Sequence, residues 1–308
     1  MKKDTESLLY EFIEDCKLRG MAHSTVLTYR TSLRIFIGYI DTLNKSINDA
    51  EKNELRGYID YLLNERKISL KTIESHFSAL SSFYEYLLFE SLVETNPVLP
   101  VRKRYLRRYK KDSSNGGHTR KLISVEEMSR LVNSIMNARD RALITLLAKT
   151  GVRRGELIRI DIDDIDFSNK TIRLKPTAKR SNRTIFFDDE TEQVLKEWLS
   201  MRTHYARPEI NALFISQTGS RLNKNGVYDA VTVHARHLGL HDPDSDQLED
   251  HFTPHCCRHW FTTHLRRAGM PRDHIKELRG EAMDIYYHTD KEELRRSYLA
   301  YIPRLGIY

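Results

Sequence analysis

The sequence His255-Cys256-Cys257-Arg258-His259 sets a histidine and an arginine three positions apart, one helical turn, so both can face one phosphate. Tyr286-Tyr287-His288 follows, 28 residues after Arg258, and supplies a hydroxyl able to attack that phosphate. Pro254 starts the helix that carries the first cluster. His251, His255 and His259 recur every four residues beside Cys256 and Cys257, a pattern that also suits zinc. Pro254 leaves His251 outside the helix, however, and no second cysteine pair completes a tetrahedral set. No metal site and no cofactor are expected.

Upstream of this cluster the chain reads as mixed α/β with helices dominating. Ser124 and Glu127 form a capping box for a helix starting near residue 125. A second helix, about Ala138–Lys149, is expected to stop at Thr150-Gly151, and Arg153, Arg154 and Glu156 follow at once in a new one. Three alternating segments, Asp163–Phe167, Thr171–Lys175 and Arg183–Phe187, predict short strands. Pro176–Asn182 is a polar hairpin loop between the last two. Helices resume at Asp189–Arg202 and Asn225–Leu238, and an acidic loop, Asp242–Asp250, leads back to the cluster.

Before this region lies a basic run, Val101–Lys111, with seven basic residues and two tyrosines in eleven positions. Arg102, Lys103, Arg104, Arg107, Arg108, Lys110 and Lys111 are candidates to track a nucleic-acid backbone. The polar stretch Asp112–Gly117 completes a linker over 101–121, between a domain at 1–100 and one at 122–308. Residues 5–95 carry four helical stripes, and they predict a compact all-α unit. The helices are 5–18, one capped by Ser24, one through Leu55–Asn64, and one starting near Ser69 or Lys71 and stopped by Asn96-Pro97. Arg19, His23, Arg30, Arg34, Lys71 and His76 fall on its polar face.

A net charge of +7 suits a polyanionic partner. Three cysteines make no disulfide framework, no apolar run approaches a membrane span, and the N-terminus has no apolar leader segment. A cytoplasmic protein is expected.

Several separated signals together resemble the tyrosine recombinases, also called the phage-integrase or site-specific recombinase family. Thr150-Gly151-Val152-Arg153-Arg154-Gly155-Glu156-Leu157 looks like the family's T-G-x-R-x-x-E-L box, and His255–His259 like its H-x-L-R-H box. Phe261-Thr262-Thr263-His264-Leu265 and Gly269 resemble its F-A-T-x-L and G. Ile285-Tyr286-Tyr287-His288 is similar to its I-Y-T-H, and Asn96-Pro97-Val98 to the end of its N-terminal domain.

The resemblance implies a mainly α fold with a small β-sheet: an N-terminal four-helix, SAM-like core-binding domain and a C-terminal mixed α/β catalytic domain, clamping duplex DNA. With no arm-binding domain before residue 5, the simple two-domain type is expected. The implied chemistry is site-specific cleavage and rejoining of DNA through a 3′-phosphotyrosine, without metal or ATP, by protomers that form a dimer on one site and a tetramer in synapsis. A mobile-element integrase fits this description. The other reading is a non-catalytic DNA-binding relative, acting as a regulator or architectural protein.

By the same resemblance Arg153 and Arg258 are the two catalytic arginines, whose planar guanidiniums grip phosphate oxygens. His255 is the box histidine, Glu156 an orienting acid, and Tyr286 the nucleophile, with Tyr287 and Tyr298 as rivals. Lys179 in the hairpin loop is the general acid, with Lys175 or a nearby arginine as the alternative. The family's L-G-H is replaced by Leu278-Arg279-Gly280-Glu281, so Glu281 stands where a histidine is expected, and the spacing from Gly280 to Tyr286 is shorter than the family's. An acid there repels phosphate unless it turns away; either Arg279 supplies the lost contact, or the shortened segment impairs catalysis.

Overall fold

The computed structural model describes residues 5–106, 120–176, 183–281 and 290–307. The chain divides into two compact units, Met1–Gly117 and His118–Tyr308.

The first unit is built from helices α1 (Thr5–Leu18), α2 (His23–Thr42), α3 (Lys52–Asp60), α4 (Leu70–Phe89) and the short α5 (Val98–Val101). Helix α3 runs on into a wide turn at Tyr61–Glu65, and α5 into another at Arg102–Leu106. The apolar stripes of α1, α2 and α4 meet in a core of aromatic rings. Phe12 packs edge-on against Phe83 at 5.2 Å, and Phe36 against Tyr58 at 4.9 Å.

Several helix ends depart from expectation. Helix α2 begins at His23, preceded by Ala22, and Ser24 lies inside its first turn instead of capping it. Helix α4 ends at Phe89, before Asn96-Pro97. Ser91 takes φ +58°, its amide bonds the Leu88 carbonyl, and the Leu92 amide bonds that of Leu87. This is a Schellman stop with serine in the left-handed position usually held by glycine. Asn96 instead caps the next turn, its Oδ1 accepting from the Val98 amide at 3.0 Å. His76 is not on the polar face: it is buried, with Nδ1 3.0 Å from the Tyr58 hydroxyl.

The start of the basic run is folded into this unit. Val101 and Leu106 are core residues, while Arg102 donates to Ser78 Oγ at 3.0 Å and Lys103 and Arg104 face solvent. The five-residue spacing of the two apolar side chains matches the wide turn, which leaves the cations outward.

The second unit contains α6 (Val125–Asn133), α7 (Ala138–Thr150), α8 (Arg154–Leu157), α9 (Asp189–Arg202), α10 (Lys224–His237), α11 (Pro254–Arg267), α12 (Arg272–Leu278) and α13 (Lys291–Tyr301). Its antiparallel sheet runs β1 (Ile165–Asp166), β2 (Thr171–Leu174), β3 (Arg183–Phe186), with Ile165 opposite Ile172 and Leu174 opposite Arg183. The first strand is shorter than the alternation over Asp163–Phe167 suggests, because Asp161 and Asp164 cap a 3-10 turn at Ile162–Asp164. Both bonds of the Ser124/Glu127 capping box are present. Helix α7 is buried along its last nine residues and packs against α9 and α11, forming the axis of the unit. It stops at Gly151, φ +58°, which hands the chain directly to Arg153.

No helix among the described residues is long and apolar enough to cross a membrane.

Candidate functional site

The left-handed turn at Gly151 places Arg153 just ahead of α8, where Glu156, three residues on, folds back over it. Glu156 Oε2 accepts from the Arg153 amide at 2.9 Å, and its Oε1 from Arg153 Nη1 at 3.3 Å. Burial pushes the Glu156 carboxyl up, but Arg183 and then the bonds and charge of Arg153 outweigh it and hold the pKa below the usual range.

Arg258 comes from α11, one turn after His255, and is only 4% exposed. Its Nη1 donates to the Gly151 carbonyl at 2.5 Å and its Nη2 to the Arg279 carbonyl at 2.9 Å. Arg153 Nη1 donates to that same Arg279 carbonyl at 3.1 Å. Two guanidiniums from distant parts of the sequence therefore converge on one oxygen, at the C-terminal end of α12. A phosphate oxygen can accept the same pair of bonds. Burial first, then Arg153 and Arg279, lower the Arg258 pKa to about 9, which leaves it a cation at neutral pH.

Beside this pair opens a cavity of about 350 Å³ lined by Arg120, His255, Arg258, His259, Thr262 and Arg279. The His255 ring reaches solvent, yet desolvation and then the charges of Arg120 and Arg258 keep its pKa below the ordinary histidine value. His259 is shifted the same way by burial, Arg120 and Arg279. Neutral imidazoles among guanidiniums can take or give a proton while the arginines hold an anion. Glu281 forms an ion pair with Arg279 at 2.9 Å, so its charge is compensated.

The described residues bring together Arg153, Glu156, His255, Arg258 and Glu281, all named from the sequence. Lys179, Tyr286 and its rival Tyr287 lie outside the described residues, as do Arg107, Arg108, Lys110 and Lys111. Lys175, the alternative to Lys179, pairs with Asp161 and with Asp164 at 3.4 Å. Tyr298 is enclosed among Phe186, Phe261 and Leu294, and its hydroxyl has no hydrogen-bond partner among the described residues. Burial, Asp188 and Glu190 raise its pKa, which makes it a poor nucleophile. His251 lies outside α11 with Nε2 2.7 Å from the Ser245 carbonyl, and Cys257 is sealed in the core. Among the described residues no three histidine, cysteine or acidic side chains form a metal-binding group.

Sequence reading passed over Arg120, His259 as a cavity residue, Arg183 and Lys149. Lys149 is fully buried, with Nζ 2.6 Å from both Asp188 Oδ2 and the Pro303 carbonyl, and also bonded to Glu190. Its only signal was a charge at the end of an apolar helix, which is ordinarily solvated.

Known proteins resemble the chain over nearly its whole length. Residues 121–293 match the model described as the phage integrase family, and residues 8–94 that of the phage integrase N-terminal SAM-like domain. The chain is 29% identical to the tyrosine recombinase XerC of Bacillus subtilis over 306 residues, covering 95% of each. It is 27% identical to the XerC of Herpetosiphon aurantiacus over 285 residues, 89% of this chain and 87% of that one. Among solved structures, the Tn1549 transposon integrase in complex with transposon right end DNA superposes with TM-score 0.70 at 20% identity, covering 94% of this chain and 97% of that one. The XerH site-specific recombinase bound to palindromic difH substrate gives 0.69 at 21% identity, covering 95% and 80%. These structures share the fold.

Proposed function

Because the chain belongs to the phage integrase family, we propose that it is a site-specific DNA recombinase that cleaves and rejoins duplex DNA through a 3′-phosphotyrosine. The observation that carries this reading is the convergence of Arg153 and Arg258 on one acceptor beside His255. Relatives named tyrosine recombinase support it.

In this mechanism Arg153 and Arg258 hold the non-bridging oxygens of the scissile phosphate and stabilise the charge of the five-coordinate transition state. Glu156 orients Arg153. The Tyr286 oxygen forms a bond to phosphorus while the bond to the 5′-oxygen breaks. His255 takes the phenol proton, and Lys179 delivers one to the departing oxygen. The 5′-hydroxyl of a partner strand reverses these steps to rejoin the DNA, so phosphodiester energy is conserved and no ATP is needed. The basic residues Arg102, Lys103, Arg104, Arg107, Arg108, Lys110 and Lys111, which run from the end of the core-binding domain toward the catalytic domain at 122–308, track the DNA backbone. Protomers pair on one site and form a tetramer across two, in the cytoplasm.

The test is strand exchange between duplexes selected from a random-sequence library by binding to the full chain. Joint molecules form in EDTA without nucleotide, and Arg153→Gln or Arg258→Gln slows them about 100-fold or more. Loss of joint formation in EDTA contradicts the mechanism.

A binding-only role is favoured by one observation: Glu281 neutralises Arg279 at the cavity wall. It requires tight duplex binding with no joints from the unaltered chain.

A further inference from the structure

Strand β3 opens on Arg183, whose side chain is 14% exposed. Its Nη2 donates to Glu156 Oε2 at 2.8 Å, and its Nη1 donates to the Leu278 carbonyl. Glu156 is the carboxylate that holds both the amide and the guanidinium of Arg153. Leu278 immediately precedes Arg279, whose carbonyl is shared by Arg153 and Arg258. Gly280 follows with φ +59°, and a Cβ built there would lie 2.9 Å from Arg183 Cδ and Nε. The turn at the end of α12 is thus closed against the Arg183 guanidinium.

We propose that Arg183 is a positioning residue: through Glu156 on one side and the Leu278–Gly280 turn on the other, it fixes the acceptor on which Arg153 and Arg258 converge. This rests on the recombinase reading above, which makes those two arginines the phosphate grip. A planar guanidinium can bond two acceptors on different elements at a fixed angle, whereas a lysine ammonium cannot hold that fork. Without Arg183, Glu156 loses a charge-assisted bond and the Leu278 carbonyl loses a donor in a mostly enclosed site. The Arg279 carbonyl is then free to drift, and the two arginines lose their common alignment. Phosphoryl chemistry tolerates little misplacement, about 100-fold in rate for a shift near 1 Å.

The test uses the full chain with Arg183→Gln and Arg183→Lys. Phenylglyoxal labelling, read by peptide mass spectrometry, reports the tie without any catalysis. Arg153 and Arg258 should label several-fold faster in both variants. Arg202, buried and bonded to the Ala212 and Ile210 carbonyls, stays protected and controls for unfolding. On a nicked duplex, affinity should hold while cleavage at saturating DNA falls about 100-fold, a split that general destabilisation does not produce. Unchanged labelling of Arg153 and Arg258 overturns the inference, as does parallel loss of affinity, rate and Arg202 protection. If the unaltered chain never cleaves, the recombinase reading fails, and labelling alone still decides whether Arg183 sets the two arginines.

Discussion

Gly151 shows how one residue can serve both fold and site. Its φ of +58° ends α7, its carbonyl receives Arg258, and a Cβ there would sit 2.5 Å from Phe261 Cδ1. Gly151→Ala combines left-handed strain with overpacking, so urea unfolding should show a loss of about 2–4 kcal/mol. A cost near zero would mean the turn relaxes freely. This residue was legible in the sequence, because glycine after an apolar helix has few other uses. Lys149 was not. Its burial depends on Asp188, Glu190 and the Pro303 carbonyl, all remote in sequence. Lys149→Met leaves two carboxylates facing each other, and about 3–5 kcal/mol of stability should be lost in the same assay.

At the level of elements, the segment after α13 is held like a peptide in a slot. Glu190 accepts from the Leu305 amide at 2.9 Å and from the Ile307 amide at 3.1 Å, and Ser129 Oγ donates to the Leu305 carbonyl at 2.6 Å. Leu305 and Ile307 enter the main core. Glu190→Ala should release the segment, so the Leu305 and Ile307 amides exchange hydrogen quickly while those of α7 remain protected. Slow exchange at both would show that the apolar anchors alone suffice. Most helix bodies were readable from periodicity, although α5, α12 and α13 were not, and helix ends only where side chains announced them. Ser124 and Gly151 did so. Ser91 did not, because a serine in the left-handed region carries no sequence mark.

Over the whole molecule, two helical units and a small sheet followed from the order of apolar stripes and alternating segments, and the pairing of Arg153 with Arg258 followed from family boxes. The Arg183 tie did not, since a charged residue opening a strand reads as solvated. Charge also predicts a response to pH. His76, His241, His255, His259 and His264 all have pKa values lowered chiefly by burial. Unfolding restores them toward about 6.5, so the unfolded chain binds protons that the folded chain refuses. Stability therefore falls as pH drops below that value. Glu156 and Glu190, held low in the fold, extend the loss as pH falls through the carboxylate range. The melting temperature should decline steadily from pH 7.5 to about 5, whereas a rise would contradict the burial of these imidazoles.

The covalent step separates cleavage from binding alone. The full chain, incubated with its selected duplex nicked a few nucleotides from the cleavage point, should lose the short fragment and remain joined to DNA. Proteolysis and mass spectrometry are then expected to place Tyr286 on a 3′-phosphate, and Tyr286→Phe should bind the duplex equally well without forming the adduct. A chain that binds but never becomes attached, or that is attached through another residue or to a 5′-phosphate, would contradict the account.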